Sequence, residues 1–228
     1  MTPMRFRHEY KHMISPLEAV SLRQRLSIVM SRDNHAAADG TYQVRSLYFD
    51  NYKDQVLQEK LDGVSCREKF RLRVYGTDFN AIKLEKKSKI HGLCCKESAW
   101  ITASECDRLL LGDVLWMADH PDQVIRDLYV KTKNQLLRPK TLVEYTREAF
   151  IFPAGNVRVT LDSHIRTGLS SVDLLKPDLP TFAANLDGQQ VLEVKYDAYL
   201  PDLIADLVQV ENRQATALSK YAVCRIHG

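Results

Sequence analysis

The run Arg67-Glu68-Lys69-Phe70-Arg71-Leu72-Arg73-Val74-Tyr75 alternates in kind with a period of two. Successive side chains of an extended strand point to opposite faces, so Arg67, Lys69, Arg71 and Arg73 share one face and Phe70, Leu72 and Val74 the other. The same segregation recurs along the chain. Lys83, Glu85, Lys87 and Lys89 oppose Ile82, Leu84, Lys86 and Ser88; Arg5, Arg7, Glu9 and Lys11 oppose Phe6, His8, Tyr10 and His12; Glu193 and Lys195 oppose Leu192, Val194 and Tyr196. With further strands expected over 42–49, 94–101, 141–152 and 157–166, the count reaches about eight.

A half-buried sheet normally turns its charged face to water and its apolar face to the core. Solvated faces usually mix both signs, because like charges directly opposite one another are destabilising. Four cations in one row, echoed in other strands, are instead accommodated by a closed barrel with its charges inside and its apolar faces under helices. Helical patterns supply that coat. Ser15 caps a segment that begins at Pro16 and presents Leu17, Val20, Leu22, Leu26 and Val29; shorter helices are expected over 54–61, 103–111 and 123–136, and another after Pro201 through Leu203, Ile204, Leu207 and Val208. The expected fold is therefore α+β, an eight-stranded antiparallel barrel with helices packed outside, as one domain over 1–228.

A lumen lined with cations is stable only when water, anions or compensating carboxylates occupy it, since an unpaired charge in a low-dielectric site is costly. Its natural occupant is a polyanion. Glu9, Glu85 and Glu193 each share a parity with a cation, and these carboxylates suit a hard divalent ion such as Mg²⁺ or Mn²⁺ that would bridge to phosphate oxygens. Fixed cations and a metal on phosphate oxygens are most of what phosphoryl transfer requires.

The bulk numbers restrict the alternatives. The 32 Lys and Arg nearly balance the 29 Asp and Glu, for a net charge of +3, and no stacking aromatics are seen interleaved with the cationic rows, so nucleic acid is not expected as a partner. Five cysteines without zinc-like spacing fit a reduced interior, and no apolar stretch resembles a signal peptide or a membrane span, which points to the cytoplasm. The seven histidines form no HxxxH or HExxH spacing. Cys94 and Cys95, adjacent on a strand, face opposite ways. Tyr48 and Phe49 are expected to pack, with Tyr48 also a candidate polar contact, and Asp162 is open to an arginine or a second metal.

Seven segments in register carry a resemblance: 42–50 (YQVRSLYFD), Arg67-x-Lys69-x-Arg71-x-Arg73-x-Tyr75, Leu84-Glu85-x-Lys87, Tyr145-x-Arg147-x-Ala149-Phe150, 158–162 (RVTLD), 192–196 (LEVKY) and Ser219-Lys220-Tyr221. Together they resemble the VTC domain of the triphosphate tunnel metalloenzymes. The resemblance implies an eight-stranded antiparallel tunnel and, as in the catalytic eukaryotic members, a polyphosphate polymerase that moves the γ-phosphate of ATP onto a growing chain with a divalent metal, usually Mn²⁺. It implies phosphate-binding cations at Lys11, Arg71, Arg73, Lys87, Lys96, Arg147, Arg158 and Lys220, with Lys69 and Lys195 in addition and Glu193 as metal ligand. Glu85 and Glu9 are further candidates for the metal. The related CYTH branch opens with ExExK, where this chain has Arg7-His8-Glu9-Tyr10-Lys11, a departure that favours the polymerase-like branch. Neither the SPX-type domain nor the membrane segment of fungal members is seen in these residues, so a stand-alone prokaryotic form is expected. Hydrolysis of tripolyphosphate or a nucleoside triphosphate, and non-catalytic sensing of polyphosphate or nucleotide, are the competing functions.

Overall fold

A computed structural model describes residues 6–76, 78–184, 188–210 and 218–226. The chain runs β1 (Phe6–Ile14), α1 (Pro16–Val29), β2 (Ser31–Arg32), β3 (Thr41–Asp50), α2 (Gln55–Leu61), β4 (Cys66–Tyr75), β5 (Asp78–Ile90), β6 (Leu93–Ile101), α3 (Ala103–Leu110) and α4 (Gln123–Gln135). It continues through β7 (Arg138–Phe152), β8 (Val157–Thr167), β9 (Phe182–Ala183), β10 (Gln190–Tyr196), α5 (Asp202–Leu207) and α6 (Lys220–Ile226).

Hydrogen bonding links the strands in the order β2-β7-β3-β4-β5-β6-β1-β10-β8-β9, and an added β7–β8 pairing closes the eight long strands into a ring. Every neighbouring pair is antiparallel. Among the described residues, β1 pairs with β6 through Phe6 opposite Cys95 and Arg7 opposite Cys94. The eight strands match the alternating segments, except that Arg5 lies outside the described residues.

Alternation decides which way each face points. Phe70, Leu72 and Val74 of β4 are at most 1% exposed and join Leu84, Ala99 and Ile101 in a core under α3 and α4. On the opposite side of the ring, Val157, Val159, Leu161, Leu192 and Val194 pack with α1 and α5. Both apolar layers lie outside the ring, as the patterning requires. A third cluster fills one end of the interior: Val44, Tyr48, Val143, Tyr145 and Val191 meet Leu57 of α2 and Tyr221, Ala222 and Cys224 of α6.

The helix ends follow local chemistry. Ser15 accepts from the Glu18 amide while the Glu18 carboxylate accepts from the Ser15 amide, and Thr102 with Glu105 repeats the arrangement at α3. The buried stripe of α1 is narrower than expected: Ala19, Leu22 and Leu26 are fully buried, but Leu17 is 83% exposed and Val20 46%. Positions 19, 22 and 26 face the strands, and Leu17 and Val20 lie off that line. α6 carried no recognised helical signal. Its anchor is tertiary, the Tyr221 hydroxyl donating to Asp50 at 2.6 Å.

Candidate functional site

The inward rows of the strands converge on two networks of ion pairs. In the first, Glu85 is 1% exposed and sits opposite Arg71 across β4 and β5. Its Oε2 accepts from Arg71 Nε and pairs with Arg71 Nη2, both at 2.7 Å, and its Oε1 accepts from Lys96 Nζ at 3.0 Å. Arg73 lies 3.8 Å from the same carboxylate and donates to Ser46 Oγ and to the Tyr145 hydroxyl, each at 3.0 Å. Arg71 also donates to the Tyr48 hydroxyl at 2.9 Å.

The second network joins β1, β10, β8, β7 and α6. Lys11 Nζ lies 3.1 Å from Glu9 and 3.6 Å from Glu193; Lys195 Nζ lies 3.6 Å from Glu9 and 3.1 Å from Glu193. Two ammonium groups thus bridge the same two carboxylates, because the register sets Lys11 opposite Glu193 and Glu9 opposite Lys195. Lys87 reaches Glu9 at 2.6 Å from β5. Arg147 grips Asp162 with two bonds of 2.6 and 2.7 Å and lies 3.5 Å from Glu193, while Lys220 of α6 meets Asp162 at 2.5 Å. Asp162 is therefore an arginine partner.

Lys69 completes the row on β4. Among the described residues it has no carboxylate partner; its ammonium lies 5.6 Å from the centre of the Tyr48 ring. Arg158 is the outlier: still on the inward parity, it is drawn to Asp33, beyond α1, and to the Tyr42 hydroxyl at 2.9 Å. Ten of the expected cations thus share the lumen or its rim. They outnumber the lumen carboxylates Glu9, Glu85, Asp162 and Glu193 ten to four.

This imbalance shows in the ionisation of the groups. Burial works to raise Glu9 and Glu193, yet surrounding lysines hold both carboxylates below their ordinary range. Burial opposes ionisation of Glu85 too, and Arg71, Arg73 and Lys96 overcome it. Burial, with Lys87, Lys11 and Arg71 close by, pulls Lys69 down to about 7 against the opposing pull of Tyr48. Burial would raise Tyr48, but Arg71, Lys69 and Arg73 bring it to about 7.

A cleft opens the lumen between β1, β4 and β5 on one side and α2 on the other, lined by Glu9, Lys11, Lys60, Lys69, Lys87 and Lys89 among others. Its cations are set apart from those of the outer surface, where Lys86, on the opposite parity, pairs with Asp127 of α4. A family profile described as the VTC domain matches residues 6–226. The chain belongs to the VTC domain family. Among curated proteins none matches the chain.

Solved structures share the VTC fold at low identity. A candidate adenylate cyclase from Bacillus halodurans is 12% identical with a TM-score of 0.51, over 92% of this chain and 95% of that one. The PH1012 protein from Pyrococcus horikoshii OT3 is 8% identical, also at 0.51, over 95% of this chain and 98% of that one. Both likenesses bear on the fold alone.

The structure corrects one premise about this VTC domain. Aromatic side chains do interleave with the lumen cations: Arg71 lies 5.7 Å from the Tyr48 ring, Arg73 5.7 Å from Tyr75, Lys220 4.8 Å from Tyr145 and Lys83 4.4 Å from Trp100. Tyr75 and Trp100 end the cationic rows of β4 and β6, so reading each row to its end finds them, whereas Tyr48 shares its row on β3 with no cation. Asp33, which holds Arg158, sits in a connection with no strand pattern to signal it. Tyr48 packs on Tyr221 at 5.2 Å in the closed end of the lumen as well as bonding to Arg71. Cys95 is buried outside the ring while Cys94 lines the cleft, and none of the five cysteines is in a disulfide. Among the described residues no helix is long and apolar enough to cross a membrane.

Proposed function

We propose that this VTC domain is a metal-dependent phosphotransferase of the polyphosphate polymerase type, moving the γ-phosphate of ATP onto a polyphosphate chain within the lumen. The observation that carries the reading is the excess of cations over carboxylates in the lumen and at its rim, with Lys69 lacking a carboxylate among the described residues. Buried charge of one sign is destabilising unless a ligand of the other sign neutralises it. A chain of phosphates supplies repeated negative charge along the axis that the rows follow.

In this reading Arg71, Arg73 and Lys96 bind one stretch of phosphate, and Lys11, Lys87, Arg147, Lys195 and Lys220 the next. Lys69 lies between the two groups, and Arg158 meets the chain at the rim. Guanidinium groups fixed by Ser46, Tyr145 and Tyr48 cannot swing away, so they meet charge as it develops in transfer without reorganising.

The family implies a divalent metal, and the donor chemistry fits one. Glu9 and Glu193 offer hard carboxylate oxygens on adjacent strands, close enough to share Lys11 and Lys195. Among the described residues no cluster of three or more acidic, His or Cys side chains forms a cage. Two carboxylates with phosphate oxygens are the usual Mg²⁺ arrangement, so Glu9 and Glu193 would hold Mn²⁺ or Mg²⁺ together with substrate. Such an ion, when bound, neutralises charge on the phosphate oxygens. Glu85 stands apart, with its oxygens engaged by Arg71 and Lys96, and orients those cations.

A time course with ATP and Mn²⁺ tests the reading. Long phosphate chains are expected; orthophosphate without chains would transfer the same site to a hydrolase, and tight binding without turnover to a sensor.

A further inference from the structure

We infer that Trp100 is a stacking platform for the base of a nucleoside triphosphate, fixing the nucleotide's orientation at the opposite end of the lumen from the α6 cap. The inference rests on the phosphate-binding reading and adds to it the part of the ligand that is not phosphate. Trp100 belongs to the inward row of β6, because its neighbours Ala99 and Ile101 are 3% and 5% exposed and pack outside the ring. It is nevertheless 61% exposed, an indole standing at a lumen end rather than in a core. An indole with an open face at the end of a cationic row has the two features that bind a nucleotide, a π surface for the base and positive charge for its phosphates.

The register supplies what a nucleotide needs behind that indole. Trp100 is opposite Lys83, and Lys83 is opposite Arg73 on β4. Lys83 lies 4.4 Å from the indole centre, and Arg73 behind it is 3% exposed. Moving inward along the same two strands come Ser98 opposite Glu85, then Lys96 opposite Lys87. Lys96 is four residues from Trp100, about 13 Å at ~3.3 Å per residue. A nucleotide laid along this row places its base on the indole and its first phosphate by Lys83. Its outer phosphates then fall among Arg71, Arg73 and Lys96. Stacking accepts any base, since every base has a π face, so the site selects nucleotide over free phosphate chain rather than one base over another.

Lys83 alone could account for the indole's position as a surface cation–π pair, and the two accounts differ in what they demand of ligands. Trp100 and Trp116 are the only tryptophans. Trp116 packs outside the ring and donates to the Asp113 carbonyl at 3.0 Å. In a W116F protein the remaining emission therefore belongs to Trp100. ATP is expected to quench it strongly and tripolyphosphate to leave it nearly unchanged. In calorimetry W100A should weaken ATP binding about tenfold, as loss of one stacked base does, with W100F close to wild type and tripolyphosphate affinity unaltered in both. Unchanged ATP affinity in W100A, equal losses for both ligands, or equal quenching by both overturns the stacking role while tripolyphosphate binding keeps the tunnel reading intact. Wild-type protein that binds neither ligand overturns both.

Discussion

Replacing Glu85 with Gln removes one charge from the first ion network and leaves its shape. Arg71 at 2.7 Å, Lys96 at 3.0 Å and Arg73 at 3.8 Å would lose their common counterion. Breaking a buried pair by neutralising one partner costs about 3–5 kcal/mol, because the remaining charge stays buried. Lys96 has half its side chain in solvent, so the lower figure applies. For a chain of this length each kcal/mol moves Tm by about 2–4 °C, so ligand-free E85Q should melt about 6–12 °C below wild type. The sign reverses with ligand. A phosphate chain in E85Q meets the same cations without a competing carboxylate, and unit charges ~4 Å apart interact by up to about 4 kcal/mol near an effective dielectric of 20. Tripolyphosphate should therefore bind E85Q at least tenfold more tightly and raise its Tm by more degrees than it raises wild type. Scanning calorimetry with and without tripolyphosphate, in chelator so that no metal contributes, reads both effects. An E85Q protein as stable as wild type, or one whose ligand-induced shift is no larger, would refute the claim that Glu85 holds the place of an anion.

Other groups give separate tests. Glu193→Gln should lower Mn²⁺-dependent turnover by orders of magnitude while metal-free tripolyphosphate binds unchanged or slightly tighter; full metal-dependent turnover would move the ligand assignment to Glu9. Lys69 ionises near 7 in the folded protein and about 10.4 when unfolded, so between those values the unfolded chain binds more protons and stability rises with pH. Tyr48, also near 7, acts in the same direction. Over that window the lumen loses positive charge, so tripolyphosphate affinity should fall as pH rises through 7, and K69M with Y48F should flatten the dependence; an affinity constant from pH 6 to 9 in wild type contradicts it. Tyr221→Phe removes the donor at 2.6 Å from the fully buried Asp50 and should cost about 1–2 kcal/mol, read as a lowered Tm; an unchanged Tm would separate α6 from the stability of the closed end.

The barrel was legible because its side-chain period is two and its two faces differ in chemistry. Arg71, Arg73, Glu85, Lys87 and Glu193 face the lumen because Leu72, Leu84, Leu192 and Val194 must face the helices. Pairing was less legible. Which carboxylate meets which cation depends on register across strands distant in sequence, as for Lys11 with Glu193, and no local pattern encodes that. α6 escaped for a related reason. Its seven residues are too few to show a helical period, and it is held by Asp50 and Asp162 from other strands. Leu17 and Val20 erred in the other direction, since apolar spacing alone does not say how wide a stripe the sheet will cover.

The two ion networks are also distributed differently along the chain. Arg71 finds Glu85 after 14 residues, Lys96 lies 11 beyond Glu85, and Arg147 finds Asp162 after 15. Each of these pairs forms within neighbouring hairpins, with little loop to close. Glu9 meets Lys87 across 78 residues, and Arg147 meets Glu193 across 46. A chain emerging residue by residue therefore carries each arginine row unneutralised only until the next strand arrives. The contacts of Lys11 with Glu193 and of Lys195 with Glu9 wait for β1 to meet β10, and the pair of carboxylates suited to the metal comes together only when the first strand finds the last.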